Sequence, residues 1–308
     1  MFRISLAILA LLMALPSARA VVVAKSNDAS YTDRPLVDDF GFSSVGTVFN
    51  SIAGFPASGV YLGDSWVISA YHNVSDGGSG FSFGQVTFGG LGYTVDPTTA
   101  TRLHNPDNSL ADLAIFRLTS EPAVLSASIS GTTPVANTPV RMMGNGQDRE
   151  LEETHWLVTG NVWTETEGIG TRSGYKLVGT RDLRWGMNNV DSGGLVTIGL
   201  GGGFGSVRAF QMDFDPVAGE GIATGGDSGG GVFVKTGGNW ELAGIMIAAG
   251  ASQGQPAGTV AYDNITYAAN LATYKAEIDA TMAAVPEPAT AGLLLLGTGL
   301  LARRRRLR

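Results

Sequence analysis

The chain has 308 residues, enough for one large domain or two small ones with a substantial core, and its 44% hydrophobic content excludes a disordered polymer. Its 44 glycines, about twice ordinary usage, and its few charges point to a turn-rich, all-β protein. No cysteine is present, which excludes a disulfide scaffold and thiolate-bound metal; the net charge of −7 disfavours nucleic acid and anionic lipid as partners.

Residues 1–20, "MFRISLAILALLMALPSARA", carry an early Arg, an apolar run from Ile4 to Leu15 and the small-residue end Ala18-Arg19-Ala20. This predicts a secretory signal removed by signal peptidase after Ala20, because the run is shorter than the roughly 20 residues a membrane span needs. Residues 21–39 are polar and aperiodic, and are expected to form an arm or pro-segment.

From Phe40 to Thr266, short apolar runs alternate with Gly, Pro, Asn and Asp: "VYLGDSWVISA", "DLAIFRL", "WLVTGNVW", "GVFV" and "ELAGIMIAA". Strands at such spacing predict a sandwich or barrel. The glycine-rich stretch 184–207 is expected to be a long loop or part of an insertion, since Gly201 to Gly203 offer no side chains to a core. In "YAANLATYKAEIDATM", Leu271, Tyr274, Ile278 and Met282 recur at helical spacing, predicting a terminal helix packed on the last barrel.

Residues 283–308 read as a linker and a targeting tail. Pro286, Glu287 and Pro288 precede an apolar run, 289–302, and then five arginines among the last six residues. The basic end should stay cytoplasmic while the short run serves as a transient membrane anchor. This tail resembles the PEP-CTERM sorting signal of Gram-negative bacteria, which implies removal by an exosortase and delivery to the cell envelope or extracellular matrix. The two end segments hold seven of the 20 basic residues and one of the 27 acidic ones, so the part between them carries a net charge of −13.

The stretch "EGIATGGDSGGGVFV", Glu220 to Val234, sets Asp227 and Ser228 among glycines ahead of a strand. A serine hydroxyl is a weak nucleophile unless a base takes its proton, and the base needs a carboxylate to hold its tautomer. Of the three histidines, His72 ends the apolar strand "WVISA", whereas His104 and His155 sit in polar surroundings and are expected on the surface. Asp112 opens the apolar run "DLAIFRL", as either a turn residue or a buried partner of an imidazole.

In the order His72, Asp112, Ser228, these segments resemble the trypsin/chymotrypsin-like serine proteases. "WVISAYH" is similar to the family's Trp-Val-Leu-Thr-Ala-Ala-His strand, "DLAIFRL" to its Asp-Ile-Ala-Leu-Leu strand, and "GDSGG" to its nucleophile loop. Gly63-Asp64-Ser65 also spells Gly-Asp-Ser, but it precedes His72 and lacks the following glycines. The resemblance covers about 40–282. It implies two six-stranded antiparallel β-barrels with a C-terminal helix, and catalytic roles for His72, Asp112 and Ser228. The backbone N–H groups of Gly226 and Ser228 would form the oxyanion hole, and protein or peptide would be the substrate. It implies neither cofactor nor metal.

The departures carry expectations of their own. The long gap between Asp112 and Ser228 implies an insertion between about Gly144 and Phe210. Ile222 stands where trypsin-like members place an acidic pocket residue, so Lys or Arg at the cleaved position would be buried unpaired, and small or aliphatic residues are expected instead. Ile247 replaces a serine that helps the buried aspartate, leaving Asp112 one hydrogen bond short. Ile247, Ala248 and Ala249 should offer backbone to an extended substrate. Asp227 is expected to accept a freed N-terminal amine, with Val21 or a cut within residues 21–48 supplying it; an internal Arg is the other partner considered. The alternative to a peptidase is a catalytically silent, protease-like binding module at the cell envelope. An esterase fits poorly, because Ser228 does not stand in a Gly-x-Ser-x-Gly elbow.

Overall fold

The structure, a computed structural model, describes residues 21–25, 31, 41–52, 54–191 and 194–284; the expected signal at 1–20 and the apolar sorting tail lie outside them. The first strand, β1 (Val22–Val23), pairs not with its sequence neighbours but with a short strand 198 residues later. The other described elements form two strand rings, a separate sheet inserted in the second, and one helix.

The first ring uses β2 (Val45–Phe49), β3 (Pro56–Gly63), β4 (Trp66–Ser69), β5 (Val86–Phe88), β6 (Leu91–Tyr93), β7 (Val95–His104) and β8 (Leu110–Leu118). β2 lies between β3 and β5; β4 joins β3 to β8; β8 pairs β7, and β6 pairs β5. β6 and β7 are separated only by Thr94, so they act as one bent strand and the ring closes at six. Closure removes the exposed edges that an open sheet would offer to other chains.

The second ring contains β9 (Pro139–Gly144), then resumes after an inserted sheet. That sheet holds β10 (Gln147–Arg149), β11 (Thr154–Thr159), β12 (Val162–Thr166) and β13 (Arg172–Arg181) in the order β10-β13-β11-β12. The ring continues with β14 (Arg184–Asn189) and the hairpin β15 (Val196–Leu200) and β16 (Gly205–Asp213). After β17 (Gly221–Ile222), the partner of β1, come β18 (Gly231–Thr236), β19 (Asn239–Gly250), β20 (Thr259–Ala261) and β21 (Ile265–Asn270). The order β14-β9-β18-β19-β21-β16 is closed where Asp191 N–H donates to the Gln211 carbonyl at 2.9 Å, while β20 joins β13 of the inserted sheet.

Alternation explains why the strand sequences read as unbroken apolar runs. In β8, Ala114 and Phe116 point into the first ring, with Val48, Tyr61, Val67 and Phe88. Leu113 and Ile115 face the other way, into a core shared with Met143, Phe233, Ile245 and the helix. In β18, Val232 and Val234 fill the second ring while Phe233 joins the shared core. A strand buried on both faces loses its polar alternate positions.

The helix α1 (Leu271–Ala284) buries Leu271, Tyr274 and Ile278 in that shared core, as its spacing predicts, and runs two residues past the expected domain end at 282. Tyr274 links both rings: its hydroxyl donates to Asn105 Oδ1 at 2.7 Å and accepts from Arg208 N–H at 2.9 Å.

Two expectations are corrected. The glycine-rich stretch 184–207 is not a long loop: it supplies β14, β15 and the start of β16, with Gly201–Gly203 confined to the hairpin turn. The insertion is thus concentrated in residues 145–183. Residues 21–24 are not a free polar arm, since Val21, Val22, Val23 and Ala24 are all buried. An apolar start of four residues binds by burial, and its strand pairing with β17 supplies the backbone partners.

Tyr274→Phe removes one hydroxyl and leaves the buried Asn105 Oδ1 and the half-buried Arg208 N–H without that partner. The expected loss of stability is about 1–3 kcal/mol, measured by urea denaturation of the exported protein.

Candidate active site

The site lies between the rings. β4 is buried along its whole length and ends in a short 3₁₀ turn, Tyr71–Asn73, that carries His72 out of the core half-exposed. Tyr71, larger than the alanine usual in the resembled family, is wholly buried beneath the guanidinium of Arg102, 3.8 Å from its ring centre. Asp112 projects from β8 with no exposed surface. Its carboxylate accepts the His72 backbone N–H at 2.8 Å and faces the ring Nδ1 at 2.7 Å. With the carboxylate ionised, that network assigns a proton to Nδ1 and leaves Nε2 of a neutral imidazole as an acceptor.

Among the described residues, both hydrogen bonds to the Asp112 side chain come from His72. Ile247 contributes none, because its side chain is buried in the shared core at 2% exposure. The neighbours of Ile247 differ: Ala248 is half-buried and Ala249 exposed, with a β-bulge at Ile247 itself. Ile222 is fully buried among Val22, Tyr175, Phe214, Val260 and Tyr262, a cluster bordered by the Arg149 guanidinium over Tyr175 and by Glu153 on the Tyr175 and Tyr262 hydroxyls. Contacts from Ile222 and Ile247 to a ligand in the cleft would therefore fall to backbone rather than side chain.

The loop between β17 and β18 is built around Asp227, which is entirely buried. Its carboxylate accepts Thr224 N–H at 2.7 Å, Thr224 Oγ1–H at 3.1 Å and Gly146 N–H at 2.8 Å. Burial pushes the carboxyl up to about 6, opposed by these donors and by the backbone N–H of Val21. Gly146 has to be glycine: a Cβ there would stand 2.1 Å from Asp227 Oδ2 and 2.4 Å from Thr224 Oγ1.

Ser228 is tied to the histidine's turn by its main chain. Its carbonyl accepts Asn73 Nδ2–H at 2.7 Å and Ser58 N–H at 2.9 Å. Its hydroxyl donates to the Ile247 carbonyl at 3.3 Å and makes no hydrogen bond to His72. The N–H groups of Asp227, Gly229 and Gly230 are spent on Thr224, Met246 and Asp227 carbonyls. Those of Gly226 and Ser228 have no acceptor among the described residues, although Gly226 is buried. Buried unpaired N–H groups are rare, and that of Gly226 stands two residues before Ser228.

His104 and His155 are elsewhere. His104 Nδ1 lies 2.8 Å from Glu277 of α1, and His155 Nδ1 lies 2.7 Å from Ser173 Oγ. Several residues around the site carry no sequence signal: Asn73, Ser58, Thr224, Arg102, which holds the Gly203 and Phe204 carbonyls, and Phe204, whose ring meets that of His72 edge-on at 5.9 Å. Each is a common polar or aromatic residue, and none announces a partner a hundred positions away.

Asp213, Asp215 and Glu220 bring carboxylate oxygens within 4.8 Å of one another, on a cavity of about 540 Å³ that Asp191 also lines. It is the group, among the described residues, whose ligand atoms converge closely enough for a cation. Burial pushes Glu220 up to about 7 and Asp191 to about 6, with the neighbouring aspartates adding to both shifts.

Residues 284–307 match the PEP-CTERM protein-sorting motif, which implies export, sorting to the cell envelope and processing by an exosortase. Among the described residues, no helix is long and apolar enough to cross a membrane. No curated protein sequence matches the chain. In fold the chain is similar to crystal structures of the Rv3671c protease from M. tuberculosis. The inactive form is 12% identical with a TM-score of 0.47, over 84% of this chain and 98% of that one. A serine-to-alanine variant in the inactive form is 13% identical with a TM-score of 0.48, over 86% and 98%. The active form is 13% identical with a TM-score of 0.46, over 83% and 89%.

Glu220 holds its proton more tightly when folded, so its contribution to stability is complete below about pH 4.5 and is lost as pH rises through about 7. Thermal unfolding of the exported protein should therefore give a lower midpoint at pH 8 than at pH 5. Glu220→Gln, neutral throughout, should narrow that difference.

Proposed function

We propose that the chain is an exported serine endopeptidase acting through Ser228, His72 and Asp112. The observation that carries this reading is the buried Asp112 gripping His72 through both its main-chain and ring nitrogens, at 2.8 and 2.7 Å, beside a serine flanked by two unspent N–H groups. In the proposed reaction Ser228 Oγ turns from Ile247 towards His72, a rotation about one side-chain bond. Nε2 takes the hydroxyl proton as Oγ attacks the scissile carbonyl. The carbonyl oxygen becomes anionic against Gly226 and Ser228 N–H, where each donor is worth about 2.7–4 kcal/mol. Collapse expels the amine, which leaves with the proton from Nε2; water then hydrolyses the acyl-enzyme by the same steps.

A preference for small or aliphatic residues at the cleaved position is supported by the uncharged side chain at 222, which offers no carboxylate to a buried Lys or Arg. Activation follows from the N-terminus. Cutting after Ala20 would turn the Val21 amide into an ammonium beside Asp227, already held by β1–β17 pairing. An ammonium would reverse the upward push on Asp227 and keep it ionised at neutral pH. The mature enzyme would begin at Val21, with signal peptidase as the activating protease and an exosortase releasing the tail.

The bond from Ser228 Oγ to the Ile247 carbonyl favours one other reading, a silent binding module whose serine is sequestered. Fluorophosphonate labelling separates the two. The exported protein should be labelled at Ser228, and Ser228→Ala and His72→Ala should lose the label. Asp112→Asn should lower kcat about 10⁴-fold through the wrong tautomer. An unlabelled wild type beginning at Val21 would support the silent module. Two residues added before Val21 should abolish labelling while leaving the chain folded.

A further inference from the structure

Arg181, the last residue of β13, brings a guanidinium from the inserted sheet onto the nucleophile loop. Its Nη1 donates to the Gly225 carbonyl, and no carboxylate pairs with it among the described residues. The same sheet touches the loop twice more: Gly146 N–H reaches Asp227, and Gln147 N–H reaches Thr224 Oγ1 at 2.8 Å. Arg181 and Gln147 are themselves register partners.

The peptide that Arg181 holds joins two glycines, Gly225 and Gly226. Neither has a Cβ to restrict rotation, and Gly226 sits at φ 105°, so nothing intrinsic to the chain fixes that peptide's facing. The bond is trans, so its C=O and N–H point in opposite directions. Whatever anchors the Gly225 carbonyl therefore aims the Gly226 N–H to the other side. That N–H is one of the two unspent donors beside Ser228. The next carbonyl, of Gly226, is fixed from within by the buried Ser58 hydroxyl at 2.8 Å. Gly226 is thus clamped on both flanks, by Ser58 inside and by Arg181 outside.

We propose that Arg181 is a positioning residue of the oxyanion hole: by holding the Gly225 carbonyl it keeps the Gly226 N–H turned towards the developing oxyanion. The proposal rests on the serine-peptidase reading. It also gives the inserted sheet a task in catalysis, since a guanidinium can span to a backbone carbonyl while its own strand stays outside the ring.

The test compares the exported wild type with Arg181→Ala, Arg181→Gln and Arg181→Lys. Losing an oxyanion donor outright costs about 10²–10³ in kcat, and a peptide that only sometimes faces the hole should cost less. Arg181→Ala should therefore lower kcat by about 10- to 100-fold with KM nearly unchanged. Affinity for a peptidyl trifluoromethyl ketone, whose adduct carries an anionic oxygen, should fall by a similar factor. Arg181→Lys or Arg181→Gln, each keeping a donor, should recover part of the rate, and either carries the comparison if the alanine variant does not fold. A crystal structure of Arg181→Ala should show the Gly225–Gly226 peptide rotated. Unchanged kcat, a loss confined to KM, or an unrotated peptide in a slow variant would each overturn the proposal. A wild type that neither labels nor cleaves would instead bring down the peptidase reading, a failure visible before any variant is made.

Discussion

A single buried carboxylate organises the site. Asp227 has no exposed surface, and an ion there is tolerable only if donors surround it. Those donors come from three separate parts of the chain: Thr224 in the loop itself, Gly146 at the root of the inserted sheet, and Val21 at the start of β1. Because the neighbouring residue is Ser228, satisfying Asp227 also fixes the backbone that carries the hydroxyl and its two unspent N–H groups. The shape of the loop depends on the N-terminus and the insertion both being docked.

The histidine side is anchored by different means. Asp112 and His72 come from adjacent strands of the first ring, β8 and β4, whose pairing sets Ser69 opposite Ala114. A rigid, doubly buried sheet holds their spacing, and Arg102 packs over Tyr71 to steady the turn between them. Asn73 then reaches across to the Ser228 carbonyl, so the two halves are joined by a hydrogen bond one residue away from His72. The glycine hairpin at Gly201–Gly203 adds a wall: Phe204, held through its carbonyl by Arg102, meets the His72 ring edge-on.

The crowded carboxylates Asp191, Asp213, Asp215 and Glu220 stand at the back of the same assembly. The Glu220 carbonyl accepts the Ala24 N–H at 2.7 Å, next to the β1–β17 pair that positions Val21. Burial, with the neighbouring aspartates adding to it, favours the protonated Glu220 beside the point where the N-terminus is fastened.

Much of this was legible in the residues alone. Strand-rich architecture follows from short apolar runs punctuated by turn residues; the terminal helix follows from Leu271, Tyr274 and Ile278; and the ordered segments around His72, Asp112 and Ser228 stand out because few histidines compete with them. These are local signals, written in consecutive residues by the geometry of one strand, helix or loop. The docking of Val21 to Ala24 was not legible, since four apolar residues at the head of a polar, aperiodic segment give no sign of a partner near Gly221. Nor was the reach of Arg181 to Gly225, the bond from Ser228 to Ile247, or the β14–β16 strands hidden in a glycine-rich stretch. Those depend on which segments the rings bring side by side, and a hydrogen bond between separate segments leaves no periodicity, spacing or composition at either end.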